Sequence, residues 1–235
     1  MPNLLEQFTA KRSQNTQFIA GWPGAHYPIE NSTLGDYLSE FHPFARRIRK
    51  ALNESRKLGR EIIVGDFASS SPSFLFHAHI PNVVGLSVGI TKTQAGWEDI
   101  YKEHNLAHIQ GDFLDGRTWS KIHEWTDANG AFDVLFFSPK AGMSDIIPSL
   151  PIGEVLLLNA MKYVAPDGAL VAETPYDFDR LGRREKKLWI ERMRAKGIDV
   201  TVRRSRGWWD LHDFFVGEPI IMAKKSPLQQ EDKML

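Results

Sequence analysis

Short apolar runs alternate along this chain with segments whose apolar residues recur every third or fourth position, and that alternation predicts most of the fold. A buried parallel strand reads as an unbroken apolar run, whereas an amphipathic helix shows a period of 3.6. Residues 61–66, 82–87, 107–110, 131–138 and 169–173 are of the first kind. Between and around them, 72–78, 91–104, 119–127, 153–164 and 183–196 are of the second. Two further helical stretches come earlier. The first carries Leu34, Tyr37, Leu38 and Phe41; the second carries Phe44, Ile48 and Leu52, with Pro43 suited to its first turn and Gly59 to its end. The last two strand-like runs, 199–203 and 219–224, are separated by residues without helical spacing, which predicts an antiparallel pair closing one edge. The expected fold class is α/β, a mostly parallel sheet with helices on both faces and right-handed crossovers.

The first thirty or so residues are polar and broken by Gly21-Trp22-Pro23-Gly24, an irregular arm by their chemistry. The expected organisation is an arm with capping helices over 1–60, one α/β domain over 61–225 and a frayed tail over 226–235. A length of 235 residues suits one such domain, and 42% hydrophobic with 25% charged residues is enough to build a core. The longest apolar runs, 134–137 and 155–158, fall far short of the roughly 20 residues that cross a bilayer. Residues 1–12 lack the basic-then-apolar order of a secretory signal, so the expected location is cytoplasmic.

Cysteine is absent, which excludes disulfides, thiolate catalysis and cysteine-ligated zinc. His77 and His79 alternate and the other histidines are scattered, so no metal site is expected. Net charge is zero, unlike that of a typical nucleic-acid binder, but its distribution is uneven. In 183–209, which opens on Arg183 and ends on Trp208-Trp209, basic residues outnumber acidic ones and predict a locally positive face. Guanidinium groups beside tryptophans can hold phosphates and stack bases, giving a possible RNA contact; the alternative is an edge loop packed on the sheet.

The segment Ile62-Ile63-Val64-Gly65-Asp66-Phe67-Ala68-Ser69-Ser70-Ser71-Pro72 is an apolar run that ends in an acid and then a string of small residues. Small side chains in the turn after a buried strand let a ligand lie against the main chain. Glycine serves best there, because it tolerates positive φ and has no Cβ to collide. Here Ala68, Ser70 and Pro72 take the alternate positions instead.

Five parallel-type strands alternating with helices, followed by a hairpin-like pair, resemble the class I S-adenosylmethionine-dependent methyltransferases over about 61–225. The resemblance implies a Rossmann-like methyltransferase fold with a seven-stranded sheet. It also implies that Asp66 with Ala68, Ser69 and Ser70 forms the cofactor loop, beside the methionine part of S-adenosylmethionine. In Val83-Val84-Gly85-Leu86-Ser87, Ser87 stands where the family has a ribose-binding acid; a hydroxyl cannot chelate two ribose hydroxyls as a carboxylate does. Gln110-Gly111-Asp112-Phe113 is similar to the adenine-binding segment, with Asp112 for the amino group and Phe113 for the ring. Phe132-Asp133-Val134-Leu135-Phe136-Phe137-Ser138-Pro139 resembles the fourth strand, and Tyr163-Val164-Ala165-Pro166-Asp167-Gly168 the turn into the fifth.

The implied reaction is methyl transfer to an oxygen or nitrogen of a small-molecule or RNA substrate. Ser138 falls at the tip of the fourth strand, on the cofactor side. Lys140 and Glu173 are the candidate catalytic groups, for proton transfer or substrate docking, with Asp145 near Lys140. Each has a plainer alternative: a loop cap for Asp66 and Glu173, a turn residue for Asp112, core for Phe113 and a surface charge for Lys140. A methyltransferase fold without catalysis, serving as an RNA- or protein-binding scaffold, is the rival function. A nicotinamide-nucleotide enzyme is disfavoured by the missing Gly-x-Gly-x-x-Gly and by Ser87.

Overall fold

A computed structural model describes residues 38, 44–68, 82–89, 98–137, 150–173, 178, 181–202 and 219–224. The chain runs α1 (Ala45–Lys57), β1 (Ile62–Phe67), β2 (Val83–Gly89), α2 (Glu98–Glu103), β3 (Leu106–Gln110), α3 (Gly116–Asn129) and β4 (Phe132–Phe137). It continues through α4 (Leu150–Lys162), β5 (Val164–Glu173), α5 (Arg183–Ala195), β6 (Ile198–Val202) and β7 (Pro219–Lys224). The strands form a 7-stranded sheet in the order β3-β2-β1-β4-β5-β7-β6. Neighbours from β3 to β5 are parallel; β7 is antiparallel to both β5 and β6. This is the mostly parallel seven-stranded sheet expected from the sequence, with its antiparallel carboxy-terminal edge.

Alternation along each strand divides the core in two. Ile62, Val64, Val134, Phe136, Val171 and Ile221 face α1, which packs through Phe44, Ile48 and Leu52, and α2, which packs through Tyr101. Phe67, Leu135, Phe137, Leu170 and Met222 face α3, α4 and α5. Helices therefore cover both faces, and the central strands are buried on each side, as their unbroken apolar runs require.

Several boundaries differ from the sequence-based expectation. Helix α3 begins ahead of Trp119 because Asp115 caps it, accepting from the Arg117 backbone N–H at 2.9 Å. Strand β5 begins at Val164 rather than at Ala169. Phe132 pairs with Val164 and Val134 with Ala169, so the intervening β5 residues loop out of register. Gly168 permits this: a Cβ there would lie 2.6 Å from the Phe132 carbonyl oxygen. The predicted helix over 72–78, the amino-terminal arm, the first part of the 91–104 helix and the tail lie outside the described residues.

Strand β4 is tied to β1 below the point where their ladder begins. Asp133, 5% exposed, accepts from the Ile63 backbone N–H at 2.9 Å and from both terminal nitrogens of Arg60, one at 3.0 Å. The bond to Asp133 holds the Arg60 guanidinium above its ordinary pKa. Asp133→Ala would leave a buried N–H without its acceptor and Arg60 without its counter-charge. The expected loss is about 2–3 kcal/mol, seen as a lower urea midpoint at unchanged m. Arg60→Gln, at a half-exposed position, should lose less.

Candidate functional site

In this strand order β2 and β3 lie to one side of β1, and β4 and β5 to the other, so the connections diverge between β1 and β4. A crevice opens outside the carboxyl ends of the strands at such a switch point, and ligands of open α/β sheets bind there. The sequence candidates in the described residues all sit along that edge. Asp66 is the last residue but one of β1 and Ala68 follows the strand, Ser87 lies near the end of β2, Asp112 and Phe113 follow β3, and Glu173 ends β5. Ser69, Ser70, Ser138 and Lys140 lie outside the described residues.

The turn after β1 keeps a glycine-like backbone without the glycine. Ala68 has φ +67°, the left-handed region that an L side chain adopts at a cost of about 1–2 kcal/mol. Such strain persists where surrounding structure imposes it and concentrates at binding sites. The small Cβ of alanine is the least obstructive side chain that this conformation can carry. Backbone shape is thus retained where residue type has changed.

Asp66, Ser87 and His108 form a polar row across three strands. The register pairs Asp66 with Ser87 and Ser87 with His108, and side-chain parity puts all three on the α1 and α2 face. Asp66 and Ser87 are fully buried. The Ser87 hydroxyl is 2.7 Å from His108 Nδ1, so this buried hydroxyl is engaged with an imidazole. Sequence reasoning missed His108. Its signal was the shared parity with Leu106, which only the β2–β3 register makes readable.

On the opposite face the tips of three strands meet through aromatic rings. Phe113 lies 5.3 Å from Phe67, 5.1 Å from Phe137 and 5.5 Å from Trp119, centroid to centroid. Trp119 donates its indole N–H to the Phe113 carbonyl at 2.7 Å, which fixes the loop that Phe113 occupies. Tyr163 stacks on Trp119 at 6.0 Å; burial, with the charge of Asp127, raises its phenol pKa and keeps it protonated. Phe113 is half-buried, part of this cluster with one portion still exposed.

Asp112 uses Oδ1 to accept from the Leu114 N–H at 2.9 Å, the closed turn of its plainer reading. Gly111 anchors that turn, its N–H donating to the Gly89 carbonyl at 2.7 Å and so joining the ends of β2 and β3. A Cβ at Gly111 would come within 2.5 Å of Thr118 Oγ1, on the buried side of α3. Glycine is required here by contact rather than by φ. Among the described residues no group of three or more His, Asp or Glu side chains is placed to hold a metal ion, and no helix is long and apolar enough to cross a membrane.

No protein-family model matches the chain, and no curated protein matches it either. Solved structures do resemble it in shape. A plantazolicin methyltransferase in complex with S-adenosylhomocysteine is 10% identical with a TM-score of 0.49, the match covering 94% of this chain and 98% of that one. The 1,6-didemethyltoxoflavin-N1-methyltransferase of Burkholderia thailandensis is 12% identical with a TM-score of 0.48, over 96% and 92% of the two chains. A methyltransferase of the mycinamycin biosynthetic pathway is 16% identical with a TM-score of 0.46; the match covers 83% of this chain and 50% of that one, so here the chain spans half its neighbour's length. At such values these likenesses add nothing to what the strand order itself gives.

Two substitutions test the geometry of this edge. Ala68→Gly relieves the left-handed strain and should raise stability by about 0.5–1 kcal/mol, after glycine's extra unfolded-state freedom is offset. Gly111→Ala should lower it by about 1–3 kcal/mol through the clash with Thr118. Thermal melts of both variants give the signs.

Proposed function

We propose that this protein is an S-adenosylmethionine-dependent methyltransferase of class I, divergent in sequence, acting on an oxygen or nitrogen of its substrate. The observation that carries the reading is the left-handed backbone of Ala68, two residues past Asp66, just beyond the tip of β1 and at the switch point of the sheet. That is the place the family resemblance assigns to the cofactor loop. A backbone held in a glycine-like conformation there suits a ligand lying against the main chain, and Ser69 and Ser70 continue the small side chains.

In this reading Asp66, Ala68, Ser69, Ser70 and Ser138 line the methionine side. Asp112 and Phe113 meet the adenine, Asp112 through its carboxylate and Phe113 through the exposed part of its ring. Ser87 acts at the ribose through its partnership with His108. S-adenosylmethionine supplies a methyl group activated on a sulfonium sulfur. Methyl transfer asks the protein chiefly for alignment and a desolvated nucleophile, so no strong base is needed. Lys140 and Glu173 take the roles of docking the substrate and receiving its proton. The domain spans 61–225, residues 1–60 cap its core, and the expected location is cytoplasmic.

Calorimetric titration with S-adenosylmethionine and S-adenosylhomocysteine tests this directly. Micromolar binding is expected, weakened on the order of ten- to a hundred-fold in Asp66→Asn, since losing a charged hydrogen-bond partner costs about 1.5–3 kcal/mol. Because Asp66 is buried, Ser70→Phe provides a second variant, in which bulk in the loop should block binding at an unchanged melting temperature. Folded wild-type protein that binds neither compound would sink the reading in favour of the scaffold rival.

A further inference from the structure

Helix α1 carries Arg46, Arg47, Arg49, Lys50, Arg56 and Lys57 against a single acidic residue, Glu54. Its buried stripe, Phe44, Ile48 and Leu52, is 4%, 1% and 4% exposed. Opposite that stripe Arg46, Lys50, Asn53 and Lys57 follow one another at steps of four, three and four, and so fall on one line along the helix. Arg47 and Arg49 are exposed on either side of it. The line runs about 16 Å, from the first turn to the last.

A solvated helix face requires only polar residues, and mixed signs at these spacings would stabilise it. Here Arg46 and Lys50 repel at i, i+4, and Arg46 and Arg49 at i, i+3. Arg46 and Arg47 also stand in a first turn without an acidic residue, where the helix dipole opposes positive charge. No ion pair or hydrogen bond joins the side chain of Arg46, Arg47, Arg49 or Lys57 to an acidic residue among the described residues.

Helix α5 is a contrast within the same molecule. It is as rich in cations, yet Lys187 pairs with Glu191 at 3.8 Å, Arg192 and Lys196 with Glu154 at 3.4 and 3.0 Å, and Arg194 with Asp199 at 3.4 Å. Lys186 sits over the Phe178 ring at 5.0 Å. The helix that the sequence marks as basic is largely neutralised by its neighbours. On α1 Arg46, Arg47, Arg49 and Lys57 are not neutralised in this way.

We propose that the exposed ridge of α1 docks the phosphate backbone of a single-stranded nucleic acid. The apolar stripe of α1 is committed to the core, so the helix has no free apolar face with which to enter a lipid surface. No side chain along the ridge is an aromatic or aliphatic anchor of the kind that centres a protein interface, and the one exposed apolar neighbour among the described residues, Leu58, lies beyond the end of the helix rather than at the ridge's centre. The exposed cations Arg46, Arg47, Arg49 and Lys57, spread from the first turn of the helix to the last, instead suit a polymer that carries a negative charge on every repeat, which needs no apolar anchor to bind. The ridge lies outside the crevice described above, and the proposal does not depend on methyl transfer.

The test is fluorescence anisotropy with an oligonucleotide of about a dozen uridines, as RNA and as its DNA counterpart, over a salt series. Each single-strand phosphate contact contributes about −0.7 to the slope of log K against log salt. The full chain should bind, and the variant carrying Arg46→Gln, Arg49→Gln and Lys57→Gln should lose about two from that slope. The variant Lys187→Gln, Arg192→Gln and Lys196→Gln, on α5, should keep it. Single Arg46→Glu serves if the triple variant melts early, and should weaken binding several-fold. The proposal is overturned if neither strand binds at low salt, if both triple variants lose equally, or if phosphatidylserine vesicles bind and the oligonucleotides do not. Calorimetry with S-adenosylmethionine, run beside it, keeps failure here separate from failure of the methyltransferase reading.

Discussion

The pairing of β1 with β4 is the join on which the rest of the architecture depends. These strands are far apart in sequence, and from them the chain goes on to strands on opposite sides of the sheet, so the crevice exists only while they remain in register. The ladder itself starts at Val64 and Val134. Below it, the buried carboxylate of Asp133 reaches across to the Ile63 N–H and is neutralised by Arg60, which extends the join by one position with side-chain chemistry. A one-residue slip would turn the apolar set of β1 to the wrong face and strand a carboxylate in the core. Register at the amino ends of these strands is thus fixed by charge, and it sets where Asp66 and Ala68 emerge at the carboxyl ends.

The two sides of the crevice floor differ in kind. Toward α3 the tips are held by rings, Phe67, Phe113, Phe137 and Trp119, whose contacts are broad and tolerant of small shifts. Toward α1 and α2 the same row is polar and buried, with Ser87 and His108 in a directional bond. A ligand over β1 would therefore rest on a packed aromatic side and face a polar one. That asymmetry lets one pocket take a molecule with both an apolar and a hydrogen-bonding part.

Much of the fold was legible because burial dictates residue type. Central strands buried on both faces must be apolar throughout, so β1, β4 and β7 could be read directly, and Gly59 marked the end of α1 through its positive φ. What escaped was set by pairing between distant residues. The early start of β5 depends on the contact of Gly168 with the Phe132 carbonyl, which no local pattern announces. The site divides in the same way. Asp66 and Asp112 were visible from their place after strands, whereas the bond between Ser87 and His108 requires the register of β2 on β3. The absence of glycine after β1 was visible, but not that Ala68 would adopt glycine's backbone. Nor did composition separate the cations of α5, which have partners, from those of α1.

The place of β7 in the sheet bears on the order in which the molecule can assemble. Of the described strands it comes last along the chain, yet it lies between β5 and β6. Until it arrives, β6 has no neighbour to bond and the outer edge of β5 stands open. Helix α5 can hold β6 nearby, but the two cannot close on the sheet. A nascent chain must therefore carry an unpaired, apolar sheet edge until β7 is available, which makes Leu170, Val171 and Ala172 a segment in need of protection during synthesis.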